Sequence, residues 1–583
     1  MEFRVWAPFA ATVDLVLPPA DHPVRMGSGR GGWWAVEVPD AGHGTDYWFS
    51  VDSGKPLPDP RSAWQPYGVH GPSRVFDPDR GRRPGSPWPR RDVLGAVFYE
   101  LHVGTFTPEG TLDAAAARLP DLRALGVDVV ELLPLAAFDG ERGWGYDGVD
   151  LYAVHEPYGG PEAFLRFVDA CHEQGLAVCL DVVYNHLGAS GNYLSGFGPY
   201  FTEQHQTPWG AAVNLDDTGH EEVRRWIVDN ALRWFRDFDV DALRLDAVHA
   251  LVDDSREHVL AQLSDATAAL SARLGRPLTL VAESDLNDPD MIEPTADGGC
   301  GMAAQWTDDI HHAVHALVTG ETAGYYVDFG TVDTLAHALT RVFVHDGGLS
   351  TFRGTTWGRA VDPARHAGHR FVAYTQTHDQ VGNRALGERL AALTTADRCA
   401  AAAAVVLTSP FTPMIFMGEE WAAGTPWQFF TDFDPDLGRL VRDGRREEFS
   451  RHGWDVAVPD PQDPATRAAS VLCWDERQQP AHRRMLAWYR DLLALRRAEA
   501  DLRADDLRAV RVTTGPGSDV VGRGWLVVHR GRFDVLVNLA GGPATLPSPD
   551  GAQPVLAWGP VEPVDGGLRL ATDGAAIVRL PEG

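Results

Sequence analysis

The chain has 583 residues, enough for several hydrophobic cores rather than one. Hydrophobic residues make up 44% and charged residues 23%, the balance of an ordinary water-soluble globular protein. The 51 Lys and Arg against 81 Asp and Glu leave a net charge of −30, which argues against nucleic acid and membrane surfaces as main partners, since such a surface repels phosphate backbones and anionic lipid.

Residues 1–90 read as a small β domain. FRVWAPFAATVDLVL alternates, GSGRGGWWAVEVP follows a turn cluster, and TDYWFSVDSG continues the pattern. Trp33 and Trp34 could stack on sugar rings, but core packing is the expected role in so small a domain. The segment 77–92, DPDRGRRPGSPWPRRD, is rich in Pro, Gly and charge and reads as a linker.

From Val93 strands alternate with helices, and residues 91–505 read as one catalytic unit. AVFYELHV is a strand, LDAAAARLPDLRALG an amphipathic helix and VDVVELLPL the next strand. GPEAFLRFVDACHEQG is a helix with Phe164, Val168 and Cys171 on one face, and LAVCLDVVYNH is a third strand. ALRLDAV, LTLVAES, AAQWTDD, FVAYTQTHD and FTPMIFMGEE follow, with helical patterns such as EEVRRWIVDNALRWFRDFD between them. Eight alternations predict an α/β fold, a (β/α)8 TIM barrel with long loop insertions. A doubly wound sheet would need a glycine-rich phosphate loop after its first strand, and ELHVGTFTPEGT is a poor match. Across 506–583 short strands return (LRAVRVTTG begins the run, then GWLVVHRGR, FDVLVNLAGG, PVLAWG and AAIVRLPEG), predicting a C-terminal β-sandwich to match an N-terminal one.

Five cysteines, Cys171, Cys179, Cys300, Cys399 and Cys473, form no CxxC pair and are odd in number, which fits free thiols in a reducing compartment. The start, MEFRVWAPFAATVDL, lacks a basic region followed by an apolar run, and AAAAVVLTSPFTPMIFMG is broken by two prolines. A cytoplasmic protein without a membrane span is expected.

Three acidic residues end short apolar runs: Asp246 in DALRLDAVHA, Glu283 in LTLVAESDLN and Asp379 in FVAYTQTHDQVGN. On parallel strands of one barrel they converge at its C-terminal edge, where such barrels build active sites. Carboxylates in one cleft are what glycosidic cleavage needs, one as acid and one as nucleophile. Arg244, two residues before Asp246 on the same strand face, is placed to keep Asp246 ionised.

DVVYNH (181–186), ALRLDAVH (242–249), VAES (281–284) and THD (377–379) resemble, in order, four short blocks of the α-amylase superfamily of glycoside hydrolases. The resemblance implies that Asp246 is the nucleophile, Glu283 the general acid/base and Asp379 a third carboxylate that steadies the distorted sugar. It also implies that His186 and His378 donate hydrogen bonds to sugar hydroxyls, with Arg244 and His249 beside them in substrate binding. Glu283 must then be protonated near neutral pH, so neighbouring carboxylates and burial should raise its pKa. Asn185 matches a position that helps hold calcium in some relatives, but no oxygen-rich loop completes a shell, so neither metal nor cofactor is expected. His311, His312 and His315 could by composition hold a metal; their helical spacing without a clear carboxylate points instead to a solvated or substrate-lining face.

Longer stretches are similar to the malto-oligosyltrehalose trehalohydrolases within that superfamily: residues 143–164, 207–216, 306–321, 377–390, 417–432 and 459–474. One departure is the continuation of the third block as ESDLND. This resemblance implies hydrolysis of the α-1,4 bond next to the terminal trehalose of malto-oligosyl trehalose. It places Asp308, His311 and His312 after the sixth strand, and Gln380 and Asn383 after the seventh, on the trehalose side. Tyr146 and Trp144, in a glycine-flanked loop, are stacking platforms for glucose or else packing anchors. The implied partner enzyme is one that forms malto-oligosyl trehalose. An α-1,4-glucan branching or debranching enzyme is the alternative, and a non-catalytic glucan-binding scaffold is a third reading that the three carboxylates disfavour.

Overall fold

Eight of the apolar runs become the staves of a closed parallel barrel in a computed structural model of the chain, which describes residues 1–18, 23–81, 92–451, 458–517 and 523–581. Numbered around the barrel, they are β1 (Phe98–Leu101), β2 (Val129–Leu132), β3 (Ala177–Val182), β4 (Ala242–Leu245), β5 (Thr279–Ala282), β6 (Ala304–Trp306), β7 (Phe371–Tyr374) and β8 (Thr412–Phe416). Each lies within a stretch expected to be a strand. Every residue of the eight is buried, because helices cover one face and the packed barrel interior the other. That double burial explains why the strands read as near-continuous apolar runs, and it makes their few polar residues informative. Glu100 of β1 lies opposite Glu131 of β2, and Asp181 of β3 lies opposite Arg244 of β4.

The outer helices form where the apolar spacing predicts. Gly160–Glu173 buries Phe164, Phe167, Val168 and Cys171. The expected single helix over LDAAAARLPDLRALG is instead two, Leu112–Ala116 and Leu119–Leu125. Pro120 is the cause: it has no N–H to give to the preceding turn, but fits the first turn of a new helix. Among the described residues no helix is long and apolar enough to cross a membrane. All five cysteines are free thiols, with Cys171 and Cys179 buried and Cys473 exposed.

The N-terminal strands make two small antiparallel sheets. Glu2–Trp6 pairs with Trp33–Glu37, which also pairs with Gly27–Ser28; Val13–Val16 and Asp46–Val51 form the centre of the other. Trp34 is buried and donates its indole N–H to the Ala7 carbonyl at 3.1 Å. The half-buried Trp33 carries the guanidinium groups of Arg4 and Arg61 over its ring. Polar bonds join this region to the barrel: Arg61 to Asp229 at 2.9 Å, Trp64 to Glu156 at 2.7 Å and Gln65 to Asp150 at 3.0 Å. Most of the expected linker, residues 82–91, lies outside the described residues.

At the C-terminus a five-stranded sheet holds Arg511–Pro516, Gly524–Arg530, Phe533–Asn538, Ala575–Arg579 and Gln553–Trp558. It packs on a second sheet of Ala544–Pro547, Gly567–Leu570 and Val561–Val564. Sequence reading found the first layer and missed the second. The missed strands are four residues each, carry Pro547 and Pro563, and contribute little more than Leu546, Leu568 and Leu570 to the shared core; so short a pattern gives periodicity little to detect.

Candidate active site

The three carboxylates lie just past the C-terminal ends of β4, β5 and β7, as a parallel barrel requires. The ladder continues one residue beyond the strands: the Asp246 amide donates to the Val182 carbonyl and the Glu283 amide to Leu245, both at 3.0 Å. Immediately after Asp246 the chain turns through Ala247, which takes a left-handed conformation at φ 39°, one that costs a residue with a Cβ about 1 kcal/mol or more. The turn aims the Ala247 N–H at Glu283 Oε2, 2.5 Å away. Backbone strain after the first carboxylate thus orients the second.

Arg244 organises the centre. Its Nη1 donates to both oxygens of Asp181, at 3.0 and 2.9 Å, and to Asp246 Oδ1 at 2.7 Å. Its Nη2 lies 3.5 Å from Glu283 Oε2, and the guanidinium stacks on Trp306 with 4.4 Å to the ring centroid. Asn185 Nδ2 donates to Asp246 Oδ2 at 2.9 Å, so both oxygens of Asp246 are held. Burial pushes the Glu283 carboxyl up to about 8; the nearby Asp246 and Asp308 add to the rise and Arg244 opposes it. The expected rise is there, with burial rather than the neighbouring carboxylates as its first cause.

Asp379 enters from a short helix, His378–Gly382, capped by Thr377. The Thr377 amide and hydroxyl both donate to Gln380 Oε1, at 2.8 and 2.6 Å, and Gln380 Nε2 then donates to Asp308 Oδ1 at 3.0 Å. Asn383 Nδ2 donates to Asp379 Oδ1 at 2.8 Å. Asp379 is solvent-exposed at the cleft, yet its carboxyl has a raised pKa, from desolvation by its surroundings first and the charges of Asp308 and Asp246 second, with His378 and Arg244 opposing. Asp308 also accepts from the Tyr374 hydroxyl at 2.6 Å. Asp246, Glu283, Asp379, Arg244, Asp308, Gln380 and Asn383 therefore form one connected group.

The remaining expected residues divide. Tyr146 stacks on His378 at 5.2 Å and donates its hydroxyl to Asp181 Oδ2 at 2.7 Å. His186 Nε2 donates to the Tyr146 carbonyl at 2.9 Å, and the ring stacks face to face on the exposed Trp209, with ring centroids 4.3 Å apart. His249 is exposed beside Asp285, whose amide donates to its Nδ1, and desolvation lowers its pKa. Two assignments need correction. Trp144 is buried, stacked at 5.3 Å on Trp427, with its N–H given to the Gln428 carbonyl; it is a packing anchor rather than a stacking platform. His311 is fully buried with Nδ1 on the Thr375 carbonyl and Nε2 on the Tyr326 hydroxyl, so neither nitrogen is left for a sugar. His315 is likewise buried, bonded to Glu321 and stacked on Tyr326, and only the partly buried His312 of that trio keeps some exposure. The helix face read as solvated or substrate-lining is interior at His311 and His315 and open only at His312.

For a metal, one group among the described residues brings ligating atoms within 4.8 Å of one another: His205, Asp216 and Asp254. Here His205 Nε2 and the Asp254 amide both bond Asp216 Oδ2 at 2.9 Å, which ties the hairpin Phe201–Val213 to the segment after β4.

A family model for the alpha amylase catalytic domain matches residues 76–207. Over 583 residues the chain is 53% identical to the malto-oligosyltrehalose trehalohydrolase of Arthrobacter ramosus, covering 99% of both chains. It is 47% identical to the enzyme of the same name from Mycobacterium tuberculosis, over 100% of this chain and 99% of that one. The chain belongs to the malto-oligosyltrehalose trehalohydrolase family. The fold agrees with that of a candidate alpha amylase from Salmonella typhimurium in a 1.4 Å crystal structure, with TM-score 0.90 and 37% identity over 99% of this chain and 97% of that one.

Within this trehalohydrolase-family chain, sequence reading passed over several residues that the site uses. Asp181 stood inside a quoted block yet received no role; Trp306, under Arg244, and Trp209, over His186, stood inside quoted stretches. Glu100 and Glu131 went unremarked. The available signal was a carboxylate within an otherwise apolar buried strand, a costly placement that needs a paired cation or a function.

Proposed function

We propose that the chain is a retaining glycoside hydrolase that cleaves the α-1,4-glucosidic bond next to the terminal trehalose of malto-oligosyl trehalose and releases trehalose. The observation that carries the mechanism is the sharing of one guanidinium, that of Arg244, by the carboxyl groups of Asp246 and Glu283. Asp246 has both oxygens held by hydrogen-bond donors, Arg244 and Asn185, as an attacking carboxylate needs. Glu283 is pushed up to about 8 and so carries a proton at neutral pH.

In the first step Glu283 gives its proton to the glycosidic oxygen, and the C1–O bond to trehalose breaks as Asp246 forms a bond to C1. In the second, Glu283 as carboxylate takes a proton from water, which attacks C1 and frees Asp246. Groups flanking a single guanidinium suit the separation of about 5–5.5 Å that retention uses better than the 6.5–9.5 Å of inversion. Asp379, beside Asp308 and Gln380, faces the ring that distorts. Asp308, Gln380 and His312 are proposed to meet the trehalose side; the rings of His186, His378 and Tyr146 are proposed to line the glucose at the cleavage point, since both nitrogens of each histidine are already bonded within the protein. The substrate must be supplied by an enzyme that converts the reducing end of a glucan into a trehalose unit.

Incubation with malto-oligosyl trehalose and, separately, with amylopectin tests the reading. Free trehalose from the first, with the second unchanged, is expected. New branches or debranched chains from amylopectin, without trehalose release, would transfer the proposal to a branching or debranching enzyme.

A further inference from the structure

Behind the proposed nucleophile a buried chain of polar groups runs across the barrel and ends on Glu100, a β1 residue that makes none of the site's contacts with Asp246, Glu283 or Asp379. Glu100 Oε1 lies 2.6 Å from His378 Nδ1, and Glu100 Oε2 accepts the His378 amide at 2.9 Å. On the other side of the ring, His378 Nε2 lies 2.8 Å from the Tyr146 hydroxyl. That hydroxyl is 2.7 Å from Asp181 Oδ2, and both Asp181 oxygens accept from Arg244. Glu100, His378 and Asp181 are all at most 3% exposed.

Proton accounting along the chain has one consistent solution once Asp181 and Glu100 are both ionised acceptors, Asp181 paired with Arg244 and Glu100 taking the His378 amide. A phenol has a single O–H. If it is given to Asp181, the hydroxyl oxygen is an acceptor towards His378, so Nε2 must carry a hydrogen. Nδ1 faces a carboxylate oxygen at 2.6 Å and must carry one too. We infer that Glu100 is a positioning residue that holds His378 as a doubly protonated imidazolium, orients its ring under the cleaved sugar, and so supplies a fixed positive charge to the reaction. The inference rests on the glycosidase reading above, yet the protonation it names can be measured without turnover.

The groups that face His378 from each packed element are Glu100 on β1, Tyr146 after β2, Asp181 on β3, Arg244 on β4, Asp379 on its own helix, and His102 beyond β1. Burial works against the charged ring, and the charges of Glu100 and Asp379 outweigh it and Arg244, leaving the His378 pKa raised. A cation here favours an oxocarbenium-like transition state only through the hydroxyl it donates to and the carboxylates it keeps ionised, so orientation matters as much as charge.

Neutron diffraction from the unmodified protein at neutral pD reads the proton positions directly. Deuterium on both Nδ1 and Nε2 of His378 and none on Glu100 is expected; a ring with a single deuterium, or a deuterated Glu100 carboxyl, would overturn the inference. Glu100→Gln supplies the kinetic arm. Its kcat should fall about tenfold or more with KM little changed, and with a pH profile whose basic limb moves to lower pH, because the lost interaction acts mainly in the transition state. Glu100→Asp, which keeps the charge, should recover part of the loss. A Glu100→Gln enzyme with the wild-type pH profile, whatever its overall rate, would reduce Glu100 to a packing role and reject the proposal. Loss of trehalose release in wild type would reject the functional reading instead, leaving the neutron result to decide the proton positions.

Discussion

At the scale of single residues, the site separates two carboxyl groups by environment rather than by type. Asp246 takes a side-chain donor on each oxygen, whereas the partly buried Glu283 has one backbone N–H, one weakly placed cation and two carboxylate neighbours. Glu283 has its folded pKa raised from 4.5 to about 8. Its acid form is therefore present below about 8 and lost as pH rises through it. The basic limb of kcat/KM for malto-oligosyl trehalose should fall near pH 8, and a limb below pH 6 would contradict the assignment. Asp246→Ala should lose activity by about 10³-fold or more, as removal of a covalent nucleophile does, with the unfolding midpoint changed far less than the rate. Undiminished cleavage in that variant would remove the nucleophile assignment. These carboxylates were legible in the sequence because each ends a strand and belongs to a short recognisable block. The choice between platform and anchor at Trp144 stayed open and the burial of His311 was not legible, since an aromatic or histidine in a loop or helix looks the same whether its ring faces solvent or protein.

At the scale of elements, the helix His378–Gly382 shows how a five-residue motif does several jobs at once. Thr377 caps it, Gln380 closes the capping box and reaches Asp308, and Asn383 steadies Asp379. Gly382 has a different reason to be there. A Cβ at this position would lie 2.0 Å from the Trp144 ring and 3.1 Å from Trp427, so the indole stack presses directly on the helix backbone. Gly382→Ala should force that stack apart and cost about 1–3 kcal/mol, the usual price of overpacking, measured as a lower denaturant midpoint together with weaker catalysis as Asp379 shifts. A variant as stable and active as wild type would mean the indoles yield freely. The sequence placed Gln380 and Asn383 on the trehalose side without a physical account of the glycine between them, because the clash depends on an indole more than two hundred positions earlier in the chain.

At the scale of the whole molecule, the fold holds acidic groups that burial keeps protonated. Glu131, Asp150, Glu283 and Glu420 are each pushed up to about 8, with burial the first cause in every case. A carboxyl whose folded pKa exceeds its unfolded one makes the native state bind more protons, so its stabilising effect is full below the unfolded value and is lost as pH rises through the folded one. The protein should accordingly melt at a higher temperature near pH 5 than at pH 8. Glu131, which has one oxygen without a hydrogen-bond partner, offers the direct test: Glu131→Gln should raise the melting temperature at pH 8 by about 2 °C or more and leave it little changed at pH 5. An equal shift at both pH values would remove the titration argument. The amino-acid sequence by itself determined the eight-fold alternation, the order of the strands and the identity of the three carboxylates, because strand burial and chain order are written in local pattern. Only the tertiary structure decided which aromatics stand as anchors, and where the buried carboxyl groups of Asp181 and Glu100 meet Arg244 and His378, because those follow from through-space contacts between strands on opposite sides of the barrel.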